Sequence, residues 1–158
     1  MKPSRLILSL LSVIALSAAG SAQAAAVPRE LGQLVPRGAE EISLAGKTAK
    51  GALCSVNLRI SPFGFSASAA NLDHQGKVVS RTFAAFQIGL GHELQSLQSS
   101  DAVLTAVSIK KADTILESDS RSTLIVERSA DSIDAISVEV AEKGPFSWHK
   151  KSYTRCLF

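Results

Sequence analysis

Apolar and polar side chains alternate strictly between residues 54 and 60. Cys54, Val56, Leu58 and Ile60 share one side, and Ser55, Asn57 and Arg59 share the other. Successive side chains of an extended chain point to opposite faces, so a period of two predicts a strand with one buried face. Pro62 and Gly64 interrupt it, and Phe63, Phe65, Ala67 and Ala69 form a second alternating row. The polar run 71–76 ends in Gly76 and predicts a hairpin loop. A long strand is expected over 77–88, with Val78, Thr82, Ala84, Phe86 and Ile88 mostly on one face, until Gly89 and Gly91 break it. Residues 92–98 are short and mixed. Val103, Thr105, Val107 and Ile109 alternate, 123–128 is rich in β-branched residues, and Ile136, Val138 and Val140 alternate before 147–158 closes the chain. Ala112-Asp113, 119–122, 130–132 and Lys143-Gly144-Pro145 supply turns between them.

No stretch sustains a helical period over more than about three turns. The pattern amounts to about eight or nine strands with short polar links, and links this short join antiparallel neighbours, because parallel pairs need long crossovers. The expected fold is all-β: a single-domain antiparallel meander. A small β-barrel of about eight strands, lipocalin-like (calycin-type) in architecture alone, is the preferred form, with a β-sandwich as the alternative. Closure would remove exposed sheet edges, which invite aggregation. The Gly-x-Trp signature of lipocalin sequences is absent near the start.

The amino end follows a different pattern. Lys2 and Arg5 precede an apolar run from Leu6 to Ala19, and small residues follow at 20–26. Charge, apolar stretch and small residues in that order predict a secretory signal over 1–24, cleaved after Ala24. The apolar run, about 14 residues, is shorter than the roughly 20 that span a bilayer as a helix. No span of that length follows it, so the expectation after cleavage is a chain without a membrane span in the periplasm or outside the cell. Residues 25–39 carry Pro28, Gly32, Pro36 and Gly38 and are expected to be an N-terminal arm, partly ordered, with a helical turn near 30–35. Residues 40–158 are expected to form the β-barrel domain.

Export changes the meaning of the charge. The whole chain has 17 basic and 14 acidic residues, but Lys2 and Arg5 leave with the signal, so the remainder is almost neutral. No basic field of the kind that holds nucleic acid remains. An oxidising compartment also favours pairing the two cysteines, Cys54 and Cys156, across a loop of about 100 residues. This bond would tie the second expected strand to the last.

Candidate chemistry is sparse. His74, His92 and His149 have no second ligand at metal spacing, so no metal is expected. There is no Gly-x-Ser-x-Gly elbow, and the cysteines are accounted for as a bridge. No catalytic residue and no cofactor is assigned, and a non-enzymatic binding protein is the expected class. Two partners suit it. One is a small apolar ligand in a barrel cavity lined by Phe63, Phe65, Phe83 and Phe86, with room left by Ala67, Ala69, Ala84, Ala85 and Ala106. The other is an envelope or extracellular protein, such as a hydrolase, met through a rigid surface. Phe146 and Trp148 form a candidate recognition patch after Gly144-Pro145.

Overall fold

The computed structural model describes residues 27–87, 91–130 and 132–158. The expected signal at 1–24 lies outside these residues, as do Ile88, the last residue of the third expected strand, and Gly89, expected to break it. Among the described residues the chain forms one helical turn, α1 (Arg29–Gly32), and nine strands. These are β1 (Glu41–Lys47), β2 (Leu53–Ser61), β3 (Gly64–Leu72), β4 (Val78–Gln87), β5 (His92–Ser99), β6 (Val103–Lys110), β7 (Ser120–Ser129), β8 (Ser132–Lys143) and β9 (Trp148–Leu157). They build one antiparallel sheet in the order β4-β3-β2-β1-β9-β8-β7-β6-β5. The all-β, antiparallel class is therefore as expected.

The sheet is not closed into a barrel. First and last strands do meet, but through a single residue pair, Lys47 with Leu157. The next pair in that register would set Thr48 against Cys156. There the chain already turns back toward β2, with the Thr48 and Gly51 amides donating to Ala52 and Thr48 carbonyls. The ladder stops, and β4 and β5 are left as the two edges. The sheet bends at the β1/β9 corner instead, laying β1–β4 over β5–β9. β4 touches every strand from β5 to β9, so the two halves cross steeply, as in orthogonally packed sheets.

Gly46 permits the corner. A Cβ there would collide with the Leu157 carbonyl oxygen and the Phe158 ring. Gly46 pairs with Cys54 on β2, and Cys54 bonds to Cys156 of β9 with Cα atoms 5.9 Å apart. The expected disulfide is present.

Between the halves lies a packed core. Leu58, Phe65, Phe86, Leu104, Leu124 and Ile136 are fully buried, and the Phe65 and Phe86 ring centroids stand 6.2 Å apart. Ala67, Ala69, Ala84 and Ala106, expected to leave room, are equally buried. Small side chains on facing strands let the halves approach, and the larger neighbours interdigitate above them.

Two local expectations change. On β6 the buried row is Leu104, Ala106 and Ser108, not the alternating row from Val103 to Ile109. Period two identifies a strand, but where both rows are small or apolar it does not say which faces inward. The arm also contributes to the core: Leu31, Leu34 and Val35 are buried in it. A four-residue helix is unstable by itself, so this packing is what holds α1.

Candidate functional site

The phenyl groups proposed to line one cavity do not share one space. Phe65 and Phe86 point into the core, whereas Phe63 and Phe83 are 62% and 57% exposed. Alternation explains Phe83, which lies between inward-facing Thr82 and Ala84. Phe63 sits in the turn between β2 and β3, where Pro62 and the Ser61 hydroxyl shape the bend. The Phe63 amide donates to Ser61 Oγ at 3.2 Å.

Phe63 and Phe83 instead border a groove on the outer face of β1–β4, about 780 Å³ in volume. Its floor follows from register. Asn57 stands opposite Ser43 and Ser68, and Ser68 opposite Phe83, while Arg59 stands opposite Glu41 and Ser66. Ser66 and Ser68 are short, so the floor stays low between taller walls. Arg59 stands at one side and Arg81 at the other, both lining the groove.

The charge of the groove is set by a small rearrangement. Arg59 faces Glu41 across the β1–β2 ladder, but the Asn57 amide donates to the Glu41 carboxylate, and also to Ser43 Oγ at 3.1 Å. Among the described residues neither Arg59 nor Arg81 has a carboxylate within ion-pair distance. Two guanidinium groups, each with a planar fork of donors, therefore flank a serine floor beside two phenyl rings, against one lining carboxylate, Glu41, which is held by Asn57. Such a set can take a carboxylate, sulfate or phosphate in bidentate fashion while the rings cover an apolar body. Composition and period marked these arginines only as the polar side of strands, so their convergence depends on pairing register.

A second hollow, about 590 Å³, lies where β4 crosses the ends of β6–β9. Phe83, Lys110, Leu116, Glu142 and Lys151 are among its lining. Lys151 pairs with Glu142, so its charges are largely matched. Below it the inner face is polar. Thr82 and Thr154 share a buried hydrogen bond of 3.1 Å, and the buried Ser108 hydroxyl has no partner among the described residues.

The expected recognition pair divides in two. Phe146 is 99% exposed at the tip between β8 and β9. Trp148 begins β9, half-buried, with the Arg121 guanidinium 5.1 Å from its ring centroid.

No group of three or more His, Cys, Asp or Glu among the described residues could hold a metal ion. His74 and His149 are exposed, and His92 is half-buried at the start of β5. Burial lowers the His92 pKa, Lys110 lowers it further, and Asp113 opposes both. A folded pKa below the unfolded one means the unfolded chain binds the proton more readily, so this group removes stability as pH falls below about 6.5. His92→Gln should therefore flatten the loss of melting temperature between neutral and mildly acid pH. An unchanged slope would remove His92 from that role.

No protein-family model, curated protein or solved structure matches this chain.

Proposed function

We propose that the chain is an exported, non-enzymatic binding module that holds an anionic ligand with an apolar body on the outer face of β1–β4. The observation that carries this reading is the groove itself: Arg59 and Arg81 without an ion pair among the described residues, with Phe63 and Phe83 exposed beside a serine floor. Exposed arginine is ordinary and well solvated, but two large phenyl rings left exposed beside guanidinium groups on one low floor are the kind of apolar patch that marks a binding surface. A site outside is favoured over a ligand inside a lipocalin-like cavity, because the halves pack directly on one another. Export rests on the pattern of residues 1–24, and the Cys54–Cys156 bond and the absence of a membrane-crossing helix among the described residues are compatible with it.

Dodecyl phosphate and neutral dodecyl maltoside make a suitable probe pair for amide NMR titration. Dodecyl phosphate should shift the signals of residues 57–68 and 81–83 saturably, and the neutral probe should bind far more weakly. Arg81→Gln should weaken dodecyl phosphate about tenfold, the size expected when one charge-assisted hydrogen-bond pair is lost. Equal affinity for both probes, or shifts confined to core residues, would sink the reading.

A further inference from the structure

The inner face of β6–β9 changes chemistry toward one end. Register sets Ala106, Leu124, Val138 and Thr154 side by side in one cross-strand row. The next row holds Ser108, Ser122, Val140 and Ser152, and the row after it Lys110, Ser120 and Glu142. Two successive polar rows thus continue the face that carries the core. Ser108 is 1% exposed, and its hydroxyl has no partner among the described residues. Alanine serves one row back on the same strand, at Ala106, so packing alone does not call for a hydroxyl at Ser108, and a buried unpaired one is uncommon. The hollow of about 590 Å³ opens beyond these rows, with Lys110, Ser120, Val140, Glu142 and Ser152 in its lining.

A bulge aims one more side chain at it. Val140 pairs with Ser152 and Ala141 with Lys150, which leaves Lys151 with no opposite residue. Neighbours on a regular strand face opposite sides, yet Lys151 and Ser152 both line the hollow. Bulges re-aim side chains in this way and recur beside functional sites.

The charges around the hollow balance. Lys151 pairs with Glu142, Lys110 lies 3.6 Å from Asp113, and Lys111 lies 3.6 Å from Asp119. Glu117 adds a further acid to the wall, so no positive excess selects an anion. A paired ammonium still has spare donors, and a paired carboxylate spare lone pairs. Two lining groups are apolar and exposed: Phe83 of β4, and Leu116 of the loop between β6 and β7, which is 93% exposed.

We propose that this hollow binds an uncharged saccharide. A pyranose ring presents apolar C–H faces and a rim of hydroxyls, each both donor and acceptor. The faces suit Phe83 and Leu116, and the rim suits the serine hydroxyls with Lys110, Glu142 and Lys151. An ammonium and a carboxylate side by side serve two adjacent hydroxyls, one as acceptor and one as donor, and such charge-assisted bonds are stronger than neutral ones. The volume falls within the ordinary range of ligand pockets, about 300–1,000 Å³, which is room for a short oligosaccharide. The site is distinct from the groove on β1–β4: Arg59 and Arg81 take no part, although Phe83 borders both.

Amide NMR titration of the chain recovered from an exporting host tests this with maltotriose, cellotriose and tri-N-acetylchitotriose, and with trigalacturonate as the charged counterpart. At least one neutral trisaccharide should shift signals of residues 108–111, 116–120, 140–142 and 151–152 saturably, and trigalacturonate should bind at least about tenfold more weakly. Glu142→Gln should weaken the neutral sugar about tenfold, as when a charge-assisted hydrogen bond is lost. Leu116→Ser should weaken it several-fold through the lost apolar contact. Both variants should keep their melting temperature, because Leu116 is already in solvent and an exposed ion pair contributes little. Failure of all three neutral trisaccharides to bind overturns the proposal, as does tighter binding of trigalacturonate. Shifts confined to the groove at 57–68, or unchanged affinity in both variants, overturn it too. The dodecyl phosphate titration reads other amides, so neither result decides the other.

Discussion

Replacing both cysteines, as Cys54→Ala with Cys156→Ala, should lower stability by about 4 kcal/mol and melting temperature by on the order of 15 °C. The bond closes a loop of sequence separation 102, so most of the loss comes from the unfolded chain regaining freedom. A second, native-state contribution comes from the corner. There β1 and β9 share one residue pair, and Gly46 lies against the Leu157 carbonyl and Phe158. Without the bond, little else holds the end of β9 over β1. Amide exchange should therefore quicken first at Ala45–Lys47 and Arg155–Phe158, while β7 and β8 keep their protection. Thermal unfolding with and without reductant, with exchange on the double variant, checks both parts. A change in melting temperature below about 5 °C would show that the corner is held by packing alone.

The strands were legible because period two is local. β2 reproduces the alternation of Cys54, Val56, Leu58 and Ile60 residue for residue, and β8 buries Ile136 and Val138 as expected. The disulfide was legible because only two cysteines share the chain. Barrel closure was not. It depends on where β1 ends relative to β9, which is set by the turn at 48–52 and by the missing side chain at Gly46, not by periodicity. The groove was half legible. Period two alone makes Phe63 and Phe83 candidates for an inner cavity, but local geometry places both outside, one in a turn and one between inward Thr82 and Ala84. Arg59 and Arg81 were invisible as a pair because they sit on strands separated by β3, and Asn57 frees Arg59 only through a side-chain hydrogen bond.

Leu31→Ala should cost about 3 kcal/mol, as much as a core substitution within the sheet, although Leu31 lies in a segment whose prolines and glycines point to a loose lead-in. Its side chain is fully buried, and it packs in the same cluster as Leu58, Phe65 and Ile136. Alanine keeps the helical turn, since it is the best helix former, so the loss isolates the missing apolar contact and the cavity it leaves. Phe65→Ala, expected to cost about 3–5 kcal/mol, is the internal standard. Urea unfolding of the two variants separates the possibilities. If α1 were merely laid on the surface, Leu31→Ala would shift the midpoint by an amount typical of exposed positions, below about 0.5 kcal/mol. A shift comparable with that of Phe65→Ala, with an unchanged urea slope, makes the arm part of the cooperative unit. The two halves of the sheet then pack around a segment that precedes their first strand, and residues 27–35 belong to the folded domain rather than to its approach.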